Sequence, residues 1–434
     1  MRTVFRHLLA DTLFVSVTHF IVWFAITFYV YLQTRSVFAT GVIAGLFLVL
    51  TSLSGIWFGS IVDHHPRRTV MIASNAVAIG LYTAAFALYL VTDERVFTDP
   101  ASPLLWGFVL LLMGGVIVGN LRGIALSTAV TLLIPADERD RANGLVGTVS
   151  GVSFLVTSVI SGLLVGLSGM FHVLVLSLVV MGGSIAHLLM VRVPGDRPAP
   201  AAADAGRVDL RGTLAVVAAV PGLFALIGFS TINNLLGGVY MALLDAYGLS
   251  LVTVQEWGLL WGVLSSGFII GGLVVARRGL GANPLRSLLV ANVALWLLAT
   301  TFTLHRSIVV LGVGMFLYLC VIPFIEASEQ TVLQKVVPYE RQGRVFGFAQ
   351  SVEQAASPLT AFLISPVAQF VVIPFMTTGA GVELIGGWFG TGPDRGIALV
   401  FVLTGLVGLV LTLLAFRTRQ YRALSDRYLG VPVG

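Results

Sequence analysis

Residues 103–144 read PLLWGFVLLLMGGVIVGNLRGIALSTAVTLLIPADERDRANG and hold the two features that determine the fold. The first part, 103–133, is 31 residues long and contains one charged side chain, Arg122. A hydrocarbon layer of roughly 30 Å needs about 20 apolar residues in a helix, so this part predicts a membrane span. The charged part that follows, 135–144, predicts a short loop at the membrane surface.

The whole chain alternates long apolar runs with short charged segments of this kind. Hydrophobic residues make up 57% of its 434 residues and charged residues only 10%, and the mean hydropathy is +0.97. A soluble globular protein carries roughly 25% charged residues, because its surface has to hold water. The composition therefore excludes a soluble enzyme and indicates a protein whose surface faces lipid.

Twelve apolar runs are long enough to cross a bilayer. We predict an all-α integral membrane protein with twelve transmembrane helices in two six-helix, pseudo-symmetric halves. The N-terminal half covers 1–192, a segment rich in Pro, Ala and charge at 193–211 forms a cytoplasmic linker, and the C-terminal half covers 212–434 with a short cytoplasmic tail. The predicted spans are 8–32, 38–62, 69–92, 103–133, 144–168, 171–191, 219–245, 251–276, 285–304, 307–336, 344–374 and 396–416.

The two halves share a motif that indicates internal duplication. The pattern P-x-D-x-x-x-R-x-x-G runs from Pro135 to Gly144 after span 4, and P-x-E-x-x-x-R-x-x-G runs from Pro338 to Gly347 after span 10. The two copies are 203 residues apart and occupy the same place in their halves. Parallel six-helix repeats are an architecture of secondary transporters.

The basic residues predict the orientation in the membrane. Of the 25 Lys and Arg residues, 20 fall on the side that holds both termini and four on the other side. Cytoplasmic loops are enriched in Lys and Arg, so we predict a multi-pass protein of the cell's cytoplasmic membrane with both termini cytoplasmic. The basic residues form no single patch, so the net charge of +5 does not indicate a nucleic-acid partner. The four outer residues are Arg35, Arg95, Arg306 and Arg395.

The loop after span 2 reads GSIVDHHPRR from Gly59 to Arg68. A glycine here lets its helix approach a neighbour closely, and Asp63 at the membrane edge suits a helix N-terminus. The loop resembles the signature loop of the major facilitator superfamily, whose members are secondary transporters. The resemblance implies that Gly59, Asp63, Arg67 and Arg68 form a conformational latch in which Asp63 faces Arg344 at the start of span 11. Ordinary positive-inside charge with one helix-capping Asp is the alternative.

Two further motifs resemble the macrolide-efflux and enterobactin-exporter group of this superfamily: PADERDRANG at 135–144 and GRVFG at 343–347. The resemblance implies a secondary active transporter that exports a small amphipathic or cationic, drug-like compound by alternating access in exchange for protons. A siderophore or a lipid-like molecule is the alternative substrate. The Gly-Pro pair of drug–proton antiporters is absent at 157–162, which weakens the inference of antiport.

Four ionisable residues lie deep inside predicted spans: Arg122, Glu326, Glu329 and Glu353. Each costs at least ~2.5 kcal/mol on insertion scales and so needs a partner or a function. Arg122 lies about 20 Å along span 4 and Glu326 about 18 Å along span 10, at matching depths. Because spans 1, 4, 7 and 10 line the central cavity in the superfamily, we predict that Arg122 and Glu326 face each other. They form either a static ion pair or, with Glu329 on the same helix face, a site for protons or a cationic substrate.

Glu353 is a further candidate for proton coupling, with a hydrogen bond to a neighbouring helix as its alternative role.

Weaker candidates for the substrate cavity are polar or aromatic residues inside spans 1 and 7. His19 and Trp23 share one face of span 1. Asn233 and Asn234, followed by a Gly pair, predict an unwound segment of span 7 that contacts substrate. Plain packing is the alternative for all four residues.

An integral-membrane transferase is the alternative of another class. Such an enzyme would need paired Asp motifs or His and Asp at metal-binding spacing in a loop, whereas the outer loops hold only scattered acidic residues. We therefore expect no catalytic residue, no metal and no cofactor. The expected partners are a small-molecule substrate, protons and the lipid bilayer, with the chain acting as a monomer.

Overall fold

The computed structural model describes residues 2–34, 37–196 and 210–430, and its regular secondary structure in these ranges is helical. Most of the predicted linker, residues 197–209, lies outside the described part, as does Arg35. The helices are α1 (Arg2–Thr34), α2 (Val37–His64), α3 (Arg67–Val91), α4 (Glu94–Thr98), α5 (Pro103–Val118), α6 (Asn120–Leu133), α7 (Arg139–Ser168), α8 (Phe171–Met190), α9 (Leu210–Ala219), α10 (Leu223–Leu249), α11 (Val254–Arg278), α12 (Pro284–Thr301), α13 (Ile308–Val336), α14 (Gln342–Val367), α15 (Ile373–Thr377), α16 (Ala380–Leu384), α17 (Gly386–Phe389), α18 (Pro393–Arg417) and α19 (Arg419–Leu429).

The long helices follow the predicted spans. Within the described residues, eleven helical segments are long and apolar enough to cross a membrane, and they coincide with eleven of the predicted spans. The remaining predicted span, 144–168, coincides with α7, which is 30 residues long. The all-α, twelve-span prediction is confirmed.

Three spans are less regular than predicted. Span 4 breaks at Gly119, whose N–H bonds back three residues to Val116 O at 3.0 Å, so α5 and α6 are separate helices. Span 11 passes through a π turn at Ala368–Val372 before Pro374, which has no N–H to donate to the helix. Span 7 begins after Pro221 and Gly222, and the left-handed φ of +81° at Gly222 separates α9 from α10.

The described chain divides into two compact units. The first comprises Met1–Ala142, Val149–Val216 and Val337–Ser351, and the second comprises Asn143–Thr148, Val217–Val336 and Val352–Gly434. The early turns of α7 thus belong to the second unit, and those of α14 belong to the first. The first stretch begins within one copy of the repeated motif, and the second stretch contains the whole of the other copy. We retain 1–192 and 212–434 as the proposed division of the sequence.

The two motif copies have the same local structure. Pro135 precedes a 3₁₀ turn at Ala136–Glu138, and Pro338 precedes one at Tyr339–Arg341. A long helix begins directly after each turn. Proline fixes its own φ and disfavours a helical residue before it, so each proline ends one span and starts the turn into the next. Shared backbone structure at matched positions supports the inference of duplication.

Arg395, one of the four basic residues predicted for the outer side, is buried at the start of α18 and is only 2% exposed. Its guanidinium donates to the carbonyl oxygens of Phe389 (2.6 Å), Thr303 (3.0 Å) and Leu304 (2.9 Å) and lies 4.0 Å from the centroid of the Phe389 ring. The side chain satisfies carbonyl groups that the ends of α12 and α17 leave without helical partners.

Candidate functional site

Asp63 lies one residue before the end of α2 and is 2% exposed. Its Oδ1 accepts a hydrogen bond from Gly343 N at 2.6 Å, and its Oδ2 accepts one from Arg344 N at 3.0 Å. These N–H groups belong to the first turn of α14, where a helix has no internal acceptors and carries partial positive charge. The Arg344 Nε lies 3.8 Å from Asp63 Oδ2 and adds a cation. Asp63 thus caps a helix distant in sequence.

Glycines allow α2 to approach α14 closely enough for this cap. A Cβ at Gly59 would lie 2.2 Å from Gly343 O, and one at Gly55 would lie 2.3 Å from Ser351 Oγ. Real Cβ atoms essentially never approach backbone so closely. Gly59 therefore determines whether the Asp63 carboxylate reaches the N–H groups of α14.

Arg67 and Arg68, the remaining loop residues, bond to protein within the first unit. Arg67 is 0% exposed, and its guanidinium lies 4.5 Å from the centroid of the Tyr339 ring. Arg68 donates to Leu188 O and to Leu189 O, both at 2.7 Å, and so caps the C-terminal end of α8. The backbone N–H groups of both arginines donate to Asp196, at 2.7 and 2.9 Å, a residue from the start of the predicted linker.

Arg122, on α6, is 1% exposed and forms an ion pair with Asp11 on α1. Its Nε donates to Thr12 Oγ1 at 3.1 Å and its Nη1 donates to Asn75 Oδ1 at 3.3 Å. The ring closes because Asn75 Nδ2 donates to Ser184 Oγ (2.7 Å), which donates to Asp11 Oδ2 (2.8 Å). Asp11 therefore supplies the counter-charge that the sequence analysis assigned to Glu326, and that pairing is corrected.

A line of ionisable groups leads from this ion pair toward the surface of the first unit. His187 Nδ1 lies 3.1 Å from Asp11 Oδ1, and His187 Nε2 lies 3.3 Å from His7 Nδ1. The His187 side chain is 33% exposed, whereas that of Asp11 is only 4% exposed. His7 is exposed, near the start of α1. Two imidazoles therefore connect the buried Asp11 carboxylate to the exposed start of α1.

Sequence reasoning overlooked Asp11 and its partners. Asp11 is the only charged residue in the predicted span 8–32, and that position was the available signal. Its polar partners on α3 and α8 gave no comparable signal in the sequence, because single Asn, Ser and His residues in spans are usually packing residues.

A cluster of three carboxyl groups in the second unit consists of Glu326 and Glu329 on α13 and Glu353 on α14. The Glu329 Oε1 accepts a hydrogen bond from Ser230 Oγ at 2.8 Å. The Glu353 carboxyl group lies close enough to that of Glu329 for the two to interact electrostatically. Glu326 lies close enough to Glu329 for electrostatic repulsion, and its side chain faces open space although protein surrounds it at longer range.

The acid cluster, meaning Glu326, Glu329 and Glu353, lacks a cationic partner. Within the described ranges no Lys, Arg or His forms an ion pair with any of the three, and Glu353 Oε1 is buried without a hydrogen bond. Neighbouring carboxyl groups repel each other when both are charged, so uptake of a proton or a cation relieves the repulsion. The cluster can therefore bind protons or a cation in their place. Pro323 interrupts the hydrogen bonds of α13 three residues before Glu326.

Two weaker candidates on α1 are packed against aromatic rings. His19 is 7% exposed, and its Nδ1 lies 2.8 Å from Tyr82 Oη. Trp23 is half-buried and stacks on Phe47 with 4.0 Å between ring centroids. Both contacts agree with the alternative role given for these residues, which is packing between helices.

The expected unwound segment in span 7 was wrong, because α10 continues unbroken through Asn233 and Asn234. Each amide donates to the carbonyl of its own helix four residues earlier, Asn233 to Phe229 O at 2.8 Å and Asn234 to Ser230 O at 3.0 Å. These local bonds leave the helix intact. Asn233 Oδ1 also accepts from Trp296 Nε1 at 2.8 Å, whereas Asn234 is exposed.

Comparison with known proteins agrees with this architecture. The model of the Major Facilitator Superfamily matches residues 12–361. The chain is similar to macrolide efflux protein A of Streptococcus pyogenes, with 23% identity over 366 residues, 80% of this chain and 85% of that protein. It is also similar to macrolide efflux protein A of Enterococcus faecalis, with 23% identity over 320 residues, 69% of this chain and 92% of that protein.

Solved structures share the fold at low identity. A bacterial homologue of the iron transporter ferroportin in the outward-facing state has a TM-score of 0.72 and 16% identity, covering 96% of this chain and 100% of that chain. The human organic anion transporter MFSD10 (TETRAN) has a TM-score of 0.68 and 16% identity, covering 94% of this chain and 99% of that chain. With the family model matching most of its length, this chain belongs to the major facilitator superfamily.

Proposed function

We propose that the protein exports a cationic, amphipathic drug-like compound, such as a macrolide with a tertiary amine, by alternating access and in exchange for protons. Two relatives at 23% identity are macrolide efflux proteins, which supports the substrate class. Membership of a transporter superfamily favours transport over the alternative of an integral-membrane transferase.

The acid cluster is the observation that carries the proposal. Three carboxyl groups without a cationic partner in the described residues attract either protons or a cationic substrate. Binding of protons disfavours binding of the cationic substrate, and binding of the substrate disfavours binding of protons, because both neutralise the same carboxylates. Competition of this kind couples export of the compound to entry of protons. A negatively charged siderophore would be repelled by the same groups, so we favour a cationic substrate over that alternative.

The contact between Asp63 and the start of α14 supplies the conformational part of the proposal. Two backbone hydrogen bonds and one cation hold the carboxylate in this arrangement. Hydrogen bonds to charged groups contribute about 1.5–3 kcal/mol each, which is enough to bias an equilibrium between two transporter states. We propose that Gly59, Asp63, Arg67, Arg68 and Arg344 act together as this latch.

Transport by reconstituted vesicles tests the coupling. The purified protein is placed in proteoliposomes with a pH-sensitive dye inside, and uptake of a radiolabelled macrolide is followed with and without a pH gradient. We expect the parent protein to concentrate the macrolide and to move protons in the opposite direction. Glu329→Gln and Glu353→Gln should retain gradient-independent exchange of the macrolide but lose accumulation and macrolide-driven proton movement.

The control is Glu383→Gln, which removes a carboxylate from an exposed position outside the long helices and should behave like the parent. Accumulation at the parental level by the double variant Glu329→Gln, Glu353→Gln would refute coupling at this site. Failure of the parent itself to move any macrolide would refute the proposed substrate class.

A further inference from the structure

An apolar groove of about 450 Å³ lies within the second unit, between α10, α12, α18 and α19. Its walls include Gly228 and Phe229 of α10, Leu289 of α12, Leu414 of α18 and Leu424 of α19. Such a groove accepts the hydrocarbon part of a ligand, because burial of apolar surface is favourable in proportion to its area. The proposed transport function makes no use of it.

The amphipathic helix α19 forms one wall and is fastened in place by contacts within the second unit. Asn283 Nδ2 at the start of α12 donates to Ser425 Oγ at 2.7 Å. The Lys335 ammonium at the end of α13 lies 4.0 Å from the centroid of the Tyr428 ring. A Cβ at Gly222 would lie 2.4 Å from Gln420 O, so α19 packs directly on the start of α10. The groove is therefore a formed feature of this unit.

The rim of the groove is rich in arginine. Arg286, Arg417, Arg419 and Arg422 are all exposed, and each is adjacent in sequence to a residue that lines the groove. Burial raises the pKa of the Tyr421 phenol above its usual value, and the Arg286 charge opposes that rise. The acidic residue on this short helix is Asp426. The rim is therefore cationic.

We propose that this groove is a binding site for an anionic phospholipid, with an acyl chain between α10, α12 and α18 and the phosphate at Arg286 and Arg422. An apolar groove that opens at a cluster of arginines, where a transmembrane helix ends, matches an amphiphile with an anionic head. A cationic drug would be repelled by the rim, and free phosphate would leave the groove unfilled. The site goes beyond the proposed transport function and does not depend on it.

Native mass spectrometry with defined lipids tests the site. The delipidated protein is titrated with phosphatidylglycerol or phosphatidylcholine, and its melting temperature is measured in parallel. We expect saturable binding of one phosphatidylglycerol, with a rise in melting temperature that phosphatidylcholine does not produce. Arg286→Gln with Arg422→Gln should weaken phosphatidylglycerol binding by about tenfold or more, since each basic residue near an anionic head contributes a few-fold.

A second variant tests the groove itself. A Cβ at Gly228 would meet nothing within 4 Å, so Gly228→Phe can fill the groove without displacing backbone. It should abolish the saturable binding while the protein stays folded. Matched controls are Gly183→Phe, at another open glycine, and Arg277→Gln with Arg278→Gln, an exposed pair at the end of α11.

Three results would overturn the proposal. Equal binding of the two lipids would remove the role of the arginines. Parental binding by Gly228→Phe would place any bound lipid elsewhere on the protein. Equal loss of binding in the control variants would show that general lipid contact, and not this groove, accounts for the signal.

Discussion

The Arg122 guanidinium is held by side chains from two other helices, and Asp11 is its charged partner. Moving a charge out of water costs several kcal/mol per ion, and the cost is offset only where the partner geometry is good and the remaining donors are satisfied. Both side chains here are at most 4% exposed, and Asn75, Ser184 and Thr12 complete the network. Each of these two buried charges is therefore stable only while the other is present.

Removal of either partner should destabilise the protein strongly. Arg122→Gln or Asp11→Asn alone leaves an unpaired buried charge, with an expected cost of about 3–5 kcal/mol. The double variant Arg122→Gln, Asp11→Asn should recover much of that loss because no charge is stranded. Melting temperatures in detergent, by fluorescence-detected size exclusion, measure the difference.

The control for this cycle is the ion pair of Arg2 and Glu138, whose side chains are 68% and 29% exposed. Exposed pairs contribute roughly 0–1 kcal/mol, so Arg2→Gln should barely change the melting temperature. Equal effects of Arg2→Gln and Arg122→Gln, or a double variant no better than the singles, would contradict the assignment of Asp11 as the partner.

The approach of α2 to α14 shows how one glycine controls a helix contact. Gly59 lies four residues before Asp63, so both lie on one face of α2 and meet the same turn of α14. A side chain at position 59 would push α2 away from α14 and lengthen both backbone hydrogen bonds to the Asp63 carboxylate. The proposed latch therefore depends on a residue that has no side chain to contribute.

Gly59→Ala should reduce transport by about tenfold or more, because it weakens hydrogen bonds that bias the transporter between states. Gly45→Ala is the matched control on the same helix, since a Cβ there meets nothing within 4 Å. Macrolide uptake by proteoliposomes measures both variants at equal protein content. Parental transport by Gly59→Ala would mean that this contact has no part in the transport cycle.

The whole chain is organised by duplication and by charge. The two copies of the repeated motif are offset by 203 residues and overlap the short stretches, near the starts of α7 and α14, at which the chain passes from one compact unit to the other. Basic residues follow the alternation of loops, with 20 on one side and four on the other. An even number of spans with both termini in the cytoplasm is the topology that we propose from this charge distribution.

Cysteine labelling tests this topology. In a Cys320→Ser background, Ala202→Cys places a thiol in the predicted linker and Glu383→Cys places one between α15 and α18. A membrane-impermeant maleimide should label Glu383→Cys in intact cells and Ala202→Cys only after permeabilisation. Labelling of both from the same side would remove a span from the proposed topology.

Local pattern was enough to predict the membrane class, the twelve spans and the repeated motif. Span length and hydropathy are properties of consecutive residues, and the bilayer imposes the same requirement on every helix. The break before span 7 was also readable, because Pro221 acts on its own backbone. Arg122, the acid cluster and Asp63 could be selected because ionisable residues are rare and costly inside a membrane.

The partners of those residues were decided by tertiary structure. Arg122 and Asp11 are 111 residues apart, and Asp63 and Arg344 are 281 apart. Hydropathy predicts that a charged side chain inside a span needs a partner. It carries no information on which helix supplies the partner, because the choice depends on which helix faces pack together. The same reason applies to Arg395, whose guanidinium donates to the carbonyl groups of Thr303 and Leu304 that only the folded chain brings within reach.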